Sequence, residues 1–207
     1  EAPEAVVSRL PQYVRALGRL LEEGTEVISS QQLGERIQVT PAQIRSDLGH
    51  FDGFGRASRG YNVNHLLGEL KQILDLNTTW NMALLGVGRL GQAILGYPGF
   101  TAEGFHLVAA FDNNPTVVGQ QVEGVTVRPI EELDEVVREQ DISIAIVAVP
   151  REHAQKVIDR LIECGVRAIL NYAPIIPQVQ QGMKICNIDP VLALQSMTYY
   201  LTDRDSQ

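Results

Sequence analysis

Met82-Ala83-Leu84-Leu85-Gly86-Val87-Gly88-Arg89-Leu90-Gly91 is the stretch on which the fold turns. Its first four residues are apolar without alternation, as in a strand buried on both faces of a parallel sheet. They lead into G-x-G-x-x-G at the mouth of a helix. In such a strand-to-helix turn the first glycine permits the tight bend, the second lets the backbone approach a pyrophosphate, and the third lets helix and strand pack closely. The helix start adds free N–H groups and a positive dipole end. Taken alone, these glycines need mean no more than a tight turn. Asp112 adds the second half of the pattern, closing the next apolar run about 20 residues on, where an acid bonds an adenosine ribose. Asn113 and Asn114 follow, with no arginine to receive a 2′-phosphate. NAD, as NADH and NAD+, is therefore expected over NADP. The expected contacts are Gly86, Val87, Gly88, Arg89, Leu90, Gly91 and Asp112. The plainer alternative is a tight turn with Asp112 capping a helix.

The flanking sequence repeats the pattern. Leu107-Val108-Ala109-Ala110-Phe111 and Ile142–Val149 are further continuous apolar runs, with helical periodicity around Leu90–Leu95, Glu131–Arg138 and Glu152–Cys164. Strands alternating with helices predict an α/β Rossmann domain with a mostly parallel sheet. Val149 and Pro150 end a run at the edge where open α/β sheets bind ligands, so they join the expected cofactor contacts. Ala168–Leu170 and Lys184–Ile188 are further strand candidates, and Val191–Leu201 reads as a helix. The Rossmann domain is placed at 79–190 and the C-terminal helix at 191–207.

Residues 1–78 have a different grammar. Leu10, Val14, Leu17 and Leu21 recur at helical spacing, with Pro11 suited to a first turn and Gly24 to a stop. A helix from Ser29 or Ser30 to about Ile37 is followed closely by another starting at Thr40-Pro41-Ala42-Gln43. There Thr40 can cap, Pro41 fits the first position, and Gln43 can complete a capping box. Two short helices joined so tightly suggest a helix-turn-helix. The second would turn Ile44 and Leu48 inward and present Gln43, Arg45, Ser46 and His50. Arginine suits guanine edges or phosphate, and glutamine suits adenine. The Gly/Arg-rich segment from Phe51 to Val63 reads as a turn and β-ribbon, a wing whose Arg56 and Arg59 could enter a minor groove. The alternative is a small helical dimerisation domain with a solvated polar face. Leu66, Leu67, Leu70, Ile73 and Leu74 mark one more helix ending near Asp75. An α+β winged-helix domain thus precedes the Rossmann domain.

Charge alone does not suggest DNA. The chain carries a formal −8, and residues 1–80 hold eight Lys/Arg against ten Asp/Glu. Phosphate contacts require local positive potential. Cys164 and Cys186 lack CxxC spacing and clustered histidines, which argues against a zinc site and a disulfide framework. No metal is expected. Neither a membrane-spanning apolar run nor a signal pattern is found, and a cytoplasmic protein is expected.

As a set, these residues resemble the redox-sensing transcriptional repressor Rex family. The resemblance rests on Arg9-Leu10-Pro11, Tyr13-Val14-Arg15, Ser29-Ser30, Leu33 and Gln43-Ile44-Arg45-Ser46-Asp47-Leu48. It continues through Gly60-Tyr61-Asn62-Val63, Gly86–Gly91, Tyr97-Pro98-Gly99-Phe100, Phe111-Asp112, Val149-Pro150 and Ile169–Pro174. It implies a homodimeric repressor that binds double-stranded, palindromic operator DNA and leaves it when NADH accumulates, with a C-terminal helix exchanged between subunits. Ser30, Thr40, Gln43, Arg45, Ser46, His50, Arg56, Arg59, Gly60 and Tyr61 are the expected DNA contacts. The resemblance also implies subunit coupling through Arg15, Tyr97 and Asp189. The departures lie in the DNA-binding part. Ser46 stands where the family usually has a second basic residue, Gly49-His50-Phe51-Asp52 replaces Ser-Tyr-Phe-Gly, and Ser58 replaces a wing glycine.

Two other readings compete. A small NAD-dependent oxidoreductase or CoA-binding ligase-like subunit would use the same sheet, but it needs a poised acid or base. His153 is the single histidine suited to that role, since His50 and His65 precede the Rossmann segment and His106 falls in a strand. No catalytic residue is assigned. The third reading is a dinucleotide-binding scaffold without DNA.

Overall fold

The computed structural model describes residues 2–51, 54, 60–180 and 182–202, without the side chain of Thr202. The chain divides into two compact units, Glu1–Thr78 and Thr79–Gln207. Among the described residues no helix is long and apolar enough to cross a membrane.

The first unit runs α1 (Glu4–Val7), α2 (Leu10–Glu22), β1 (Val27–Ile28), α3 (Ser30–Ile37), α4 (Pro41–Leu48), β2 (Tyr61–Asn62) and α5 (Val63–Ile73). Leu10, Tyr13, Leu17, Leu33, Ile44, Leu66 and Leu70 form its core. Ser29 starts α3 with a full capping box: its hydroxyl accepts from the Gln32 amide, and the Gln32 side chain accepts from the Ser29 amide. Thr40 likewise accepts from the Gln43 amide at 3.2 Å. The expected box at Thr40 is only half made, because the Gln43 side chain donates to Asp47 instead. The turn between α3 and α4 needs Gln38 in the left-handed region (φ 57°), and a Cβ on Gly34 would overlap the Val39 carbonyl oxygen. β1 and β2 pair antiparallel, Ile28 opposite Tyr61.

The second unit runs β3 (Trp80–Leu85), α6 (Arg89–Leu95), α7 (Gly99–Ala102), β4 (Phe105–Asp112), β5 (Gln121–Val122) and β6 (Val125–Pro129). After a 3-10 turn it continues with α8 (Leu133–Glu139), β7 (Ile144–Val147), α9 (Arg151–Glu163), β8 (Ala168–Asn171), β9 (Lys184–Asn187) and α10 (Pro190–Thr202). The sheet order is β5-β6-β4-β3-β7-β8-β9, and among the described residues only its β5–β6 pair is antiparallel. This is the expected mostly parallel α/β sheet. Alternate residues of each central strand feed opposite cores. Ala83 and Leu85 pack with α8 and α9 residues such as Val136 and Ile158, whereas Met82 and Leu84 pack with Val87 and Ile94. The chain leaves β3 for β4 and β6 on one side, then returns to β7 and β8 on the other. Strand order therefore reverses beside β3, a switch point whose crevice opens at the carboxyl ends of the strands.

Candidate dinucleotide and DNA sites

The glycine-rich turn lies in that crevice. Gly86 has φ +95°, and a Cβ there would stand 2.7 Å from the Ala148 carbonyl oxygen. Its amide donates to the Phe111 carbonyl (2.8 Å), tying the turn to β4. A Cβ on Gly91 would overlap the Gly86 carbonyl oxygen. These two glycines are required by the fold itself. Gly88 is not: its φ −71° and ψ −166° are open to any residue, and a Cβ would meet nothing within 4 Å. The space in front of Gly88 is what a close-approaching pyrophosphate requires. The first bond inside α6 runs from the Gln92 amide to the Gly88 carbonyl (2.9 Å). The amides of Arg89, Leu90 and Gly91 lie ahead of it, at the helix start. Val87 is buried, whereas Arg89 and Leu90 are exposed.

Asp112, half-buried at the end of β4, accepts from the Val87 amide through Oδ2 (2.7 Å) and from the Asn114 amide through Oδ1 (2.8 Å). Each oxygen keeps a further lone pair. Beside it lies a cavity of about 320 Å³ lined by Gly86, Asp112, Asn113, Ile130, Val149 and His153 among others. That volume is within the range of small-molecule sites, about 300–1,000 Å³. Val149 and Pro150 also line it. The arrangement offers an apolar slot for a planar ring, an acid for vicinal hydroxyls and a backbone cradle for phosphates, so the residues present fit a dinucleotide. A carboxylate in this place is a poor neighbour for a phosphorylated ribose. His153, the histidine suited to catalysis, stands in the first turn of α9 and lines this cavity. Among the described residues no group of three His, Cys, Asp or Glu could hold a metal ion.

The α3–α4 pair presents the other candidate surface. Gln43, Arg45, Ser46, His50 and Thr40 are exposed and Ser30 is half-buried. Arg45 is braced across the pair, its Nη1 donating to the Ser30 hydroxyl at 2.9 Å. Ile44 and Leu48 point inward as expected. Tyr61 is 7% exposed, and its ring fills the core opposite Ile28. Burial pushes its phenol above the ordinary tyrosine range, against the pull of nearby Arg45. Gly60 is half-buried with φ +90°, and a Cβ there would press on the Ile28 carbonyl at 3.0 Å. Arg56 and Arg59, with Asp52 and Ser58, lie outside the described residues.

Sequence reading missed a buried charge cluster beneath this surface. Asp47 of α4 is fully buried. Arg9 donates to it twice, Nε to Oδ2 (2.7 Å) and Nη2 to Oδ1 (2.6 Å). The Tyr13 hydroxyl donates to Oδ2, and Gln43 Nε2 donates to Oδ1 at 2.7 Å. Burial pulls the Asp47 carboxyl upward, but the bonds from Arg9, Tyr13 and Gln43 outweigh it and hold the group at about 2. The only sequence signal was an acid at a position spaced like an inward one.

The coupling candidates fall in different settings. Arg15 is exposed and lines a cavity of about 440 Å³ with Gln12, Arg19 and Arg36. Tyr97 is 58% exposed and packs edge-on against Phe100, ring centres 5.1 Å apart. Asp189 Oδ1 accepts from the Val191 amide at 2.9 Å, capping α10. Cys164 donates to Asp134, and burial, then that carboxylate, pushes its thiol up to about 12.

Known proteins resemble the chain over nearly its whole length. The family described as "CoA binding domain" matches residues 77–175, and "Putative DNA-binding protein N-terminus" matches residues 1–49. The chain is 51% identical over 201 residues to the redox-sensing transcriptional repressor Rex of Roseiflexus sp. (strain RS-1), covering 97% of this chain and 91% of that protein. It is 37% identical over 205 residues to Rex 1 of Thermotoga maritima, covering 99% and 98%. Among solved structures it resembles RSP in complex with β-NAD+ and operator DNA (TM-score 0.93, 38% identity, 99% of this chain and 94% of that one). It also resembles RSP in complex with β-NADH (TM-score 0.87, 37% identity, 99% and 96%).

Proposed function

The chain belongs to the Rex family of redox-sensing transcriptional repressors, and on that premise we propose how its residues perform the task. It is a DNA-binding repressor responsive to the NADH/NAD+ balance, and not an enzyme. The observation that carries the reading is Asp112 at the mouth of an apolar cavity, bonded to the glycine-rich turn, with open space before Gly88. Val149, Pro150 and Ile130 enclose the adenine, Asp112 bonds the ribose hydroxyls, and the backbone from Gly88 to Gly91 holds the pyrophosphate. When bound, NAD(H) supplies a nicotinamide whose redox state is the signal. α4 enters the major groove with Arg45, Ser46 and Gln43 facing base edges or phosphates, while Ser30, Thr40 and His50 flank it. Arg56 and Arg59 are proposed as wing contacts.

The working unit is proposed to be a homodimer on a palindromic operator, in the cytoplasm. α10 supports the dimer. It contains no charged residue, and Val191, Leu192, Leu194, Met197, Tyr199, Tyr200 and Leu201 are each more than half exposed in the single chain. A helix apolar on all sides needs cover, and exchange with a second copy provides it. Two recognition helices then need half-sites about 34–36 Å apart, or a multiple of that. Arg15, Tyr97 and Asp189 are proposed to change partners as the dimer changes shape. NADH fluorescence titration beside gel shift on genomic fragments tests the reading: both sites should be active in one preparation, and loss of either refutes it.

A further inference from the structure

The Asp47 cluster does more than hold helices together. This inference rests on the DNA-binding reading and deepens it. Among the described residues Asp47 is the one fully buried charged side chain. An ionised carboxylate only accepts hydrogen bonds, so the Gln43 carboxamide must turn its nitrogen inward. That orientation follows from the chemistry of the partner. Oε1 then faces away from Asp47, takes no hydrogen bond among the described residues, and belongs to an exposed side chain. Gln43 is also the third residue of α4, in the part of a recognition helix that reaches base edges.

We propose that Gln43 is a base-reading residue and Asp47 its positioning residue, turning the carboxamide so that each operator half-site must offer it an adenine. A freely turning glutamine is ambiguous. With nitrogen outward it donates to the N7 and O6 of guanine; with both atoms outward it pairs N6 and N7 of adenine. The bond to Asp47 uses one Nε2 hydrogen and leaves Oε1 plus the other hydrogen. Oε1 accepts from adenine N6, and the remaining hydrogen reaches N7. Guanine O6 and thymine O4 would meet Oε1 as acceptor against acceptor. Cytosine N4 can donate to Oε1 but offers no acceptor for the remaining hydrogen, so it makes one bond where adenine makes two. Arg9 and Tyr13 keep Asp47 ionised and fixed, so the lock extends from α2 to the DNA face of α4. Arg45, braced on Ser30, has no such restriction, since every one of its polar atoms donates.

The test is selection of bound sequences from a random duplex pool, followed by affinities for single-base operator variants at fixed salt. For the wild-type chain one position per half-site should require adenine, and guanine there should weaken binding roughly ten- to hundredfold. Gln43→Met, at an exposed site, should erase the preference at that position and leave the others. Asp47→Ala, or Asp47→Leu if the alanine variant does not fold, should retain Gln43 yet lose discrimination between adenine and guanine at the same position. A merely structural Asp47 would weaken all sequences alike. Unchanged preferences in Gln43→Met, or guanine chosen at the Gln43-sensitive position, overturns the reader. Full discrimination in the folded Asp47 variants overturns the positioning role. A wild-type chain that binds no duplex overturns the DNA-binding reading itself.

Discussion

The Val87 amide donates to Asp112 Oδ2 at 2.7 Å, so the acid proposed to recognise the ribose also fastens the glycine-rich turn to the end of β4. One carboxylate thus fastens the turn that is proposed to cradle the phosphates and is itself proposed to place the sugar. Asp112 caps no helix: it braces the turn and keeps a lone pair on each oxygen, which the proposed ribose contact would use.

Asp112→Ala removes both. A charged hydrogen bond is worth about 1.5–3 kcal/mol, so NADH affinity should fall by one to two decades. The gap between NADH and NADPH should narrow, because the charge that disfavours a 2′-phosphate is gone. Calorimetry reads both. Unchanged affinity would remove Asp112 from the site.

Gly88→Ala and Gly91→Ala should separate function from folding. At Gly88 the added methyl enters open space, so thermal stability should stay within about 0.5 kcal/mol. NADH binding should weaken at least about tenfold, equivalent to about 1.4 kcal/mol. At Gly91 the methyl overlaps the Gly86 carbonyl oxygen, and overpacking of this kind costs about 1–3 kcal/mol or more. A Gly88→Ala protein that binds NADH normally would show that no phosphate approaches there.

Gly99→Ala should act on Tyr97 alone. A Cβ at Gly99 would overlap the Tyr97 ring. That ring is exposed and can turn away at little cost, so melting should barely change. The ratio of operator affinities with and without NADH should change, because Tyr97 is a proposed coupling residue. A shift in both affinities with a constant ratio would assign Tyr97 to packing.

Acid should weaken the first unit through Asp47. Its carboxyl sits at about 2 in the folded chain against an ordinary 3.8. A lowered folded value means that the stabilisation is complete above about pH 4 and is lost as pH falls toward 2. The difference is worth about 2 kcal/mol. The stability gap between wild type and Asp47→Asn should narrow by about that much between pH 5 and 2. A gap independent of pH would show that the charge is not what stabilises.

Much of this was legible in the sequence, for local reasons. Continuous apolar runs identified β3, β4 and β7 because strands buried on both faces cannot alternate. The glycine spacing and Asp112 placed the crevice, and Thr40 and Pro41 marked the start of α4. What escaped depended on partners distant in sequence. Asp47 received no role from the sequence because its anchor, Arg9, lies 38 residues away. The two-residue strands β1 and β2 are too short to show in the sequence that the Tyr61 ring packs into the core. Gln43 was read as completing a capping box, when Asp47 one turn on competes for the same side chain. The short β5–β6 hairpin carries too few residues for any periodicity.

The central claim is that dinucleotide and operator bind antagonistically to one chain. It is tested by operator affinity at fixed salt, with and without saturating NADH, on the full-length protein. Coupling of the usual size, about 1–3 kcal/mol, predicts that NADH weakens operator binding by roughly five- to 150-fold. By reciprocity the operator must weaken NADH by the same factor. Equal operator affinities in the two conditions would contradict the account and leave two binding sites in one chain without a sensor.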